Sequence, residues 1–224
     1  QTKENKTMNI LQNPQFKTIK EAEEYIGGLS KPSKMPCPTY GISARKCDTG
    51  SKLREVPGST CADCYAMKGM YGEWNKVVGE AHAKRLEAMD KEGWTSAMVF
   101  LINKKGLEYF RWHDSGDLQS FQHLLNIVTI AENCPGTAFW LPTREKKHIN
   151  EYLRSFGEFP ENLTVRVSAT MIDEEAGDYP HTSTVHDKKE AIGHECNAPK
   201  QQGKCLDCRA CWDKSIKNIS YAKH

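Results

Sequence analysis

The sequence has no long apolar run and almost no net charge. Its strongest apolar run, residues 98–102, is far shorter than the roughly 20 residues that span a bilayer. The polar N-terminus is not followed by the apolar core of a secretory signal. The net charge is +2 over 224 residues, and 27% of the residues are charged. We therefore expect a cytoplasmic protein without a membrane partner, neither globally disordered nor globally basic.

The cysteines are the first informative residues. Nine cysteines cannot all pair within one chain, and in a reducing cytosol they are better explained as metal ligands or reactive thiols. Cys134 stands alone. The other eight form two clustered groups. The early group is Cys37, Cys47, Cys61 and Cys64, and the late group is Cys196, Cys205, Cys208 and Cys211. This clustering predicts metal binding rather than core packing.

The late group has the spacing of iron–sulfur ligands. Cys205, Cys208 and Cys211 form a C-x2-C-x2-C run, which suits three corners of a cuboidal cluster. Cys196 supplies a fourth thiol. A zinc site more often pairs two separated C-x2-C knuckles. The spacing therefore favours an iron–sulfur cluster, [4Fe-4S] above other types, with zinc as the alternative.

The early group is less specific. It contains one C-x2-C pair, Cys61 and Cys64, and two distant thiols, Cys37 and Cys47. This spacing fits zinc, a second cluster or a set of unrelated loop cysteines. The two groups could also meet and share one site, which would leave spare thiols.

The residues outside the two cysteine groups predict an α/β fold. Apolar periodicity predicts helices over residues 16–28, 74–91, 96–103, 121–132 and 148–156, and strands over residues 108–113, 137–141 and 163–169. Strands that alternate with helices indicate a parallel sheet. A complete eight-stranded barrel needs about 250 residues. We therefore predict an incomplete parallel (β/α) barrel, similar to a TIM barrel, with an open doubly wound sheet as the alternative.

The predicted organisation is one domain over residues 1–224. It has a cysteine-rich loop over 30–65, a β/α core over 66–170 and a cysteine-rich C-terminal segment over 171–224, where the regular pattern stops. Polar residues follow the first two core strands, at the sheet edge where parallel folds bind ligands. The candidate pocket residues are His113, Asp114, Ser115, Gly116, Asp117 and Arg144. Arg144 suits a phosphate or carboxylate. A tight turn, a helix cap and a helix-start salt bridge would explain Gly116, Asp117 and Arg144 equally well.

Four motifs together resemble a known family. They are M-P-C-P-T-Y-G (35–41), G-S-T-C-A-D-C-Y-A (58–66), W-H-D-S-G-D (112–117) and G-K-C-L-D-C-R-A-C-W (203–212). From about residue 28 to the C-terminus, the chain resembles a phage-encoded family called gene product 88, whose name implies no activity. The resemblance implies a bacteriophage protein in the cytoplasm of the infected host.

A more distant similarity is to radical S-adenosylmethionine enzymes. These have a partial (β/α) barrel, a cysteine loop after the first strand and a glycine–acid motif after the second. Cys61 and Cys64 resemble the last two loop cysteines, and residues 115–117 resemble the glycine–acid motif. The enzymes' loop is C-x3-C-x2-C, and Pro57 stands where its first cysteine would be. Cys47 could replace that cysteine only through a rearranged loop. The late group resembles an auxiliary-cluster segment.

These observations predict an iron–sulfur phage protein with a redox role or a degenerate radical role, acting on an unknown small molecule or redox partner. The alternative is a zinc-stabilised module that binds nucleic acid or a host protein. Its support is a mild charge asymmetry, with +5 on residues 1–112 and −3 on residues 113–224. A third hypothesis is a structural metal fold that senses iron or oxygen.

Overall fold

The computed structural model describes residues 16–71, without the side chain of Met70, and residues 75–223. Its helices are α1 (Ile19–Tyr25), α2 (Asp48–Leu53), α3 (Lys76–Met89), α4 (Trp94–Lys105), α5 (Phe121–Glu132) and α6 (Lys146–Phe156). Its strands are β1 (Thr39–Tyr40), β2 (Tyr109–Trp112), β3 (Ala138–Thr143), β4 (Leu163–Ser168), β5 (Thr182–His186), β6 (His194–Glu195) and β7 (Asn218–Ala222). Trp74, the first residue of one predicted helix, lies outside the described residues.

The strands form a single sheet in the order β1-β2-β3-β4-β5-β7-β6, and every neighbouring pair is parallel. From β1 to β5 the spatial order follows the chain without a reversal. A doubly wound sheet would contain a reversal at its switch point. The α/β fold with a parallel sheet is therefore confirmed, and its strand order is compatible with part of a barrel. Among the residues described, no helix has the length and apolarity to cross a membrane.

The two faces of the sheet differ in chemistry. Phe110 and Trp112 of β2 pack with Phe139 of β3 and with residues of α1, α4, α5 and α6 in the main apolar core. The alternate residues of β2 and β3, which point to the opposite face, include Arg111 and Trp140. The C-terminal segment covers that opposite face. A sheet buried on both faces is typical of parallel strands.

The region after Met171 differs from the sequence prediction, because it adds β5, β6 and β7 to the sheet. The β5 strand carries small polar side chains that are buried in hydroxyl and amide contacts. Ser183 Oγ donates to Ser168 Oγ at 3.0 Å, and Thr182 Oγ1 donates to Asn218 Oδ1 at 2.7 Å. Cross-strand polar pairs of this kind stabilise a sheet without an apolar pattern. Apolar periodicity therefore could not predict this strand.

Candidate functional site

The loop that carries most early cysteines is bonded to the ends of β3 and β4. The Thr60 backbone N–H donates to the Thr170 carbonyl at 2.9 Å, and Thr60 Oγ1 donates to the Ala169 carbonyl at 3.0 Å. Arg144 Nε donates to Thr60 Oγ1 at 3.0 Å. Arg144, predicted to bind an anion, thus contacts the cysteine loop.

A second attachment joins the loop to the start of α6. Glu145 accepts from the Thr49 backbone N–H at 2.9 Å and from Thr49 Oγ1 at 2.7 Å. On the other side, the Tyr65 hydroxyl donates to the Asp114 carbonyl. These bonds hold Cys47, Cys61 and Cys64 above the carboxyl ends of β2, β3 and β4, where parallel sheets place their chemistry.

Three of the early thiols lie together. The Cys47 and Cys61 sulfurs each lie 3.6 Å from the point where a Cβ on Gly50 would be, so this glycine keeps a small space open beside both sulfurs. The pKa of Cys47 is raised to about 12, mainly by burial; nearby Asp117, Cys64 and Cys61 also raise it, and Arg144 lowers it. The short helix α2 follows Cys47 and precedes the C-x2-C pair in the chain. The structure thus brings Cys47 near Cys61 and Cys64.

Cys37 does not belong to this set. Its side chain packs in a separate apolar cluster with Trp140 and Trp212 on the opposite face of the sheet. Burial raises the pKa of Cys37 to about 12, the Arg111 guanidinium lowers it, and the Cys205 thiol raises it. The neighbours of Cys37 therefore include Trp212 and Cys205 of the C-terminal segment.

The late thiols lie around the same region of the sheet. Cys205 donates its backbone N–H to the Lys34 carbonyl at 3.1 Å, and its sulfur lies 4.0 Å from Met35 Sδ. Cys211 Sγ lies 3.4 Å from the Tyr221 hydroxyl. Burial raises the pKa of both thiols, to about 11 for Cys211. Electrostatic coupling also links Cys196 with Cys208 and with Cys205. Five cysteines thus form the late set: Cys37, Cys196, Cys205, Cys208 and Cys211.

Arg166 fastens the C-terminal segment to β4. This arginine is fully buried, and each of its terminal nitrogens donates to main-chain carbonyls. The shortest contacts reach the carbonyls of Cys211 (2.9 Å), Ile216 (2.9 Å), Asp213 (2.8 Å) and Ala210 (3.1 Å). The position of the late cysteines therefore depends on a side chain of the central sheet.

The candidate pocket residues at the end of β2 play different roles. Asp117 accepts from Thr143 Oγ1 at 2.6 Å and from the Leu118 and Arg144 backbone N–H groups at 2.8 Å each. Burial raises the pKa of Asp117 to about 6. Gly116 has φ +84, and a Cβ there would lie 2.4 Å from Ile42 Cγ1. Asp117 therefore holds the loop after β2 to the end of β3, and Gly116 lets that loop pack closely against Ile42.

The residues just before them have unused polar atoms. Asp114 accepts from the Tyr71 hydroxyl at 2.7 Å through Oδ2, but its buried Oδ1 has no partner. Ser115 Oγ and both ring nitrogens of His113 are also buried without partners. His113 has φ +53, a rare conformation for a residue with a side chain. Its ring centroid lies 5.3 Å from that of buried His123. Buried polar atoms without partners are uncommon, and strained residues often mark functional sites.

A family comparison identifies the chain. The family model described as gene product 88 matches residues 2–214, nearly the whole sequence. The chain belongs to the gene product 88 family. The resemblance predicted from four motifs is confirmed. Comparisons with curated proteins and with solved structures gave no match.

The described thiols of this gene product 88 chain form no site for a single metal ion. Over residues 16–71 and 75–223, no three His, Cys, Asp or Glu side chains converge closely enough to hold one ion. Thiolates around one zinc ion lie about 3.8 Å apart, given Zn–S bonds of about 2.3 Å. Thiolates of a cuboidal cluster bind separate irons and stand farther apart. Among the described residues, the thiol sets therefore form no mononuclear site.

Sequence reasoning did not identify Arg111, Tyr65, Met35 or Gly50 as parts of these sites. Arg111 had a detectable signal, because it alternates with Phe110 and Trp112 and must point away from the apolar face of β2. Met35 and Tyr65 had none beyond their nearness to cysteines in sequence.

Proposed function

We propose that this chain is an iron–sulfur protein with two cluster sites. Cys47, Cys61 and Cys64 would hold the early cluster, and the late set of five thiols would supply the ligands of the second. The observation that carries the proposal is the gathering of eight free cysteines into two sets of neighbours, whereas Cys134 is isolated in the main core. A bound cluster would supply one-electron redox chemistry.

Clusters do not require three thiols to converge on one ion, as zinc does, so the lack of such a group among the described residues is compatible with them. The charges around the sites support clusters. Four thiolates around a [4Fe-4S]²⁺ core leave a net charge of about −2, which a partly buried site must offset with cations or N–H donors. Arg144 lowers the pKa of Cys61, and Arg209 does so for Cys37 and Cys205. Both sets therefore have a cation among their neighbours.

The early set favours a site that accepts an outside ligand. Three thiols leave one iron of a four-iron cluster without a protein ligand. The loop follows β1 directly, and the glycine–acid motif follows β2, which is the order found in radical S-adenosylmethionine enzymes. The carboxylate of Asp117 is occupied by protein donors. The unpaired Oδ1 of Asp114, the residue just before this motif, is therefore the better candidate to contact a ligand.

Metal analysis of anaerobically purified protein tests the proposal. We expect iron and acid-labile sulfide in equal amounts, no stoichiometric zinc, and a coloured protein. Cys61→Ala with Cys64→Ala should remove the early cluster, and Cys205→Ala with Cys208→Ala should remove the late one. Cys134→Ala should keep both. A colourless protein with stoichiometric zinc would contradict the cluster proposal and favour the zinc-stabilised binding module.

Addition of S-adenosylmethionine tests the open iron separately. We expect it to change the electron paramagnetic resonance spectrum of the reduced protein when the early set is intact. The change should disappear in the Cys61→Ala, Cys64→Ala variant and persist in the Cys205→Ala, Cys208→Ala variant. An unchanged wild-type spectrum would exclude S-adenosylmethionine as the ligand and leave a redox role.

A further inference from the structure

Arg111 is a half-buried cation near both thiol sets. Its guanidinium carbon lies 4.4 Å from the centre of the Trp140 ring. Nη1 contacts Met35 Sδ at 3.5 Å, Nη2 contacts the Tyr65 hydroxyl at 3.5 Å, and buried Nε has no partner. None of the ion pairs among the described residues includes Arg111.

The contacts of Arg111 with Trp140, Met35 and Tyr65 do not compensate the positive charge of its guanidinium. A guanidinium stays protonated in proteins, and a thioether and a neutral hydroxyl are weak or uncharged acceptors. A cation that is partly withdrawn from water is costly unless an anion lies close to it. Among the described residues, no carboxylate lies within ion-pair distance of Arg111, although Asp114 raises the pKa of Arg111 from farther away. An anion that forms in the working protein would therefore complete this site.

The late thiols are the natural source of that anion. Arg111 is a cation that lowers the pKa of Cys37, Cys205 and Cys211. Met35 Sδ touches both the Arg111 guanidinium and the Cys205 sulfur. The Arg111 backbone N–H donates to the Pro38 carbonyl at 3.4 Å, so Arg111 lies beside the segment that carries Cys37. The positive charge thus lies beside three thiols of the late set.

The same side chain reaches the early set. Tyr65 follows Cys64 directly, and its hydroxyl contacts both Arg111 Nη2 and the Asp114 carbonyl. A short path of contacts therefore runs from Cys64 through Tyr65, Arg111 and Met35 to Cys205.

We propose that Arg111 is the counter-cation of the late cluster and positions it relative to the early one. This inference rests on the proposed function. Arg111 is a positioning residue and not a cluster ligand. One-electron reduction by dithionite adds one negative charge to the thiolate-bound cluster, from about −2 to about −3 for four thiolates. A fixed positive charge beside it stabilises the reduced form and raises the reduction potential.

Redox titration of the full chain tests the inference. The titration uses the Cys61→Ala, Cys64→Ala background, so that only the late cluster contributes. At the midpoint potential of this parent, Arg111→Gln should lower the ratio of reduced to oxidised cluster at least tenfold, equal to about 59 mV for one electron. Arg111→Lys should restore most of the ratio because it keeps the charge. Arg154→Gln, on exposed α6, should leave the ratio unchanged.

The outcomes separate the inference from the proposed function. A wild-type protein without iron would refute the proposed function, whatever Arg111 does. A cluster that forms in Arg111→Gln with an unchanged potential would refute the inference alone. Loss of the late cluster in both variants would also refute it, since lysine keeps the charge. Loss in Arg111→Gln with retention in Arg111→Lys would support it.

Discussion

Replacing Arg166 with methionine should loosen the C-terminal segment from the sheet. Methionine keeps much of the buried volume but removes every N–H donor. The carbonyls of Cys211 and Ile216 then lose their hydrogen-bond partner, whereas those of Ala210 and Asp213 each keep a backbone N–H. Leaving a buried carbonyl without a partner costs about 1–3 kcal/mol, so two of them cost about 2–6 kcal/mol. That is a large share of a typical unfolding free energy of about 5–15 kcal/mol. Each kcal/mol shifts Tm by about 2–4 °C at this size, so we expect Tm to fall by about 4–24 °C.

Two assays measure this effect. Thermal unfolding followed by circular dichroism gives the loss of stability. Limited trypsin digestion reports local release, because Lys204 and Arg209 lie in the segment that Arg166 holds. Arg154→Met is the matched control, because this exposed arginine should change the unfolding free energy by no more than about 0.5 kcal/mol. A loss below about 1 kcal/mol in Arg166→Met, with unchanged cleavage at Lys204 and Arg209, would show that the carbonyls are satisfied without the arginine.

Three further predictions follow from the local geometry. Gly116→Ala should lower the unfolding free energy by about 2–4 kcal/mol, from its φ of +84 and its clash, whereas Gly136→Ala, in open space, should be nearly neutral in urea denaturation. Burial lowers the pKa of His123 to about 3, so stability should fall as the pH drops from about 6.5 towards 3. His123→Gln should reduce the slope of unfolding free energy against pH by the equivalent of one bound proton. An unchanged slope would contradict the inference that His123 is neutral in the folded protein. Gly50→Ala should reduce the iron content of the early site, whereas Gly79→Ala on α3 should leave it intact; equal iron in both would contradict a role for the space beside Gly50.

The central part of the fold could be predicted because its apolar residues repeat regularly. Helix α5 was predicted over residues 121–132 and is found over Phe121–Glu132, where Ser120 caps the first turn. Its repeat of buried leucine and isoleucine leaves little ambiguity. Strand β5 could not be predicted in the same way, because its buried side chains are threonine and serine, whose hydroxyls bond to neighbouring strands.

The grouping of the cysteines was predicted only in part, because distance along the chain was taken as distance in space. Cys37 comes before β1, whereas Cys47, Cys61 and Cys64 follow it. A strand carries the chain from one end of the sheet's strands to the other. Residues just before the strand and residues just after it are therefore separated in space. This strand has only two residues, Thr39 and Tyr40, and no apolar alternation. No feature of the sequence marked the division.

The position of β7 has a consequence for the order in which the protein matures. This strand lies between β5 and β6, and β6 pairs with β7 in the described part of the chain. The ribosome makes β6 first, so β6 has no edge to join until β7 has emerged and paired with β5. The segment with Cys196 to Cys211 connects these two strands and stays open until then. Its thiols are thus exposed to the cell's assembly factors or oxidants well after the early thiols have reached the sheet.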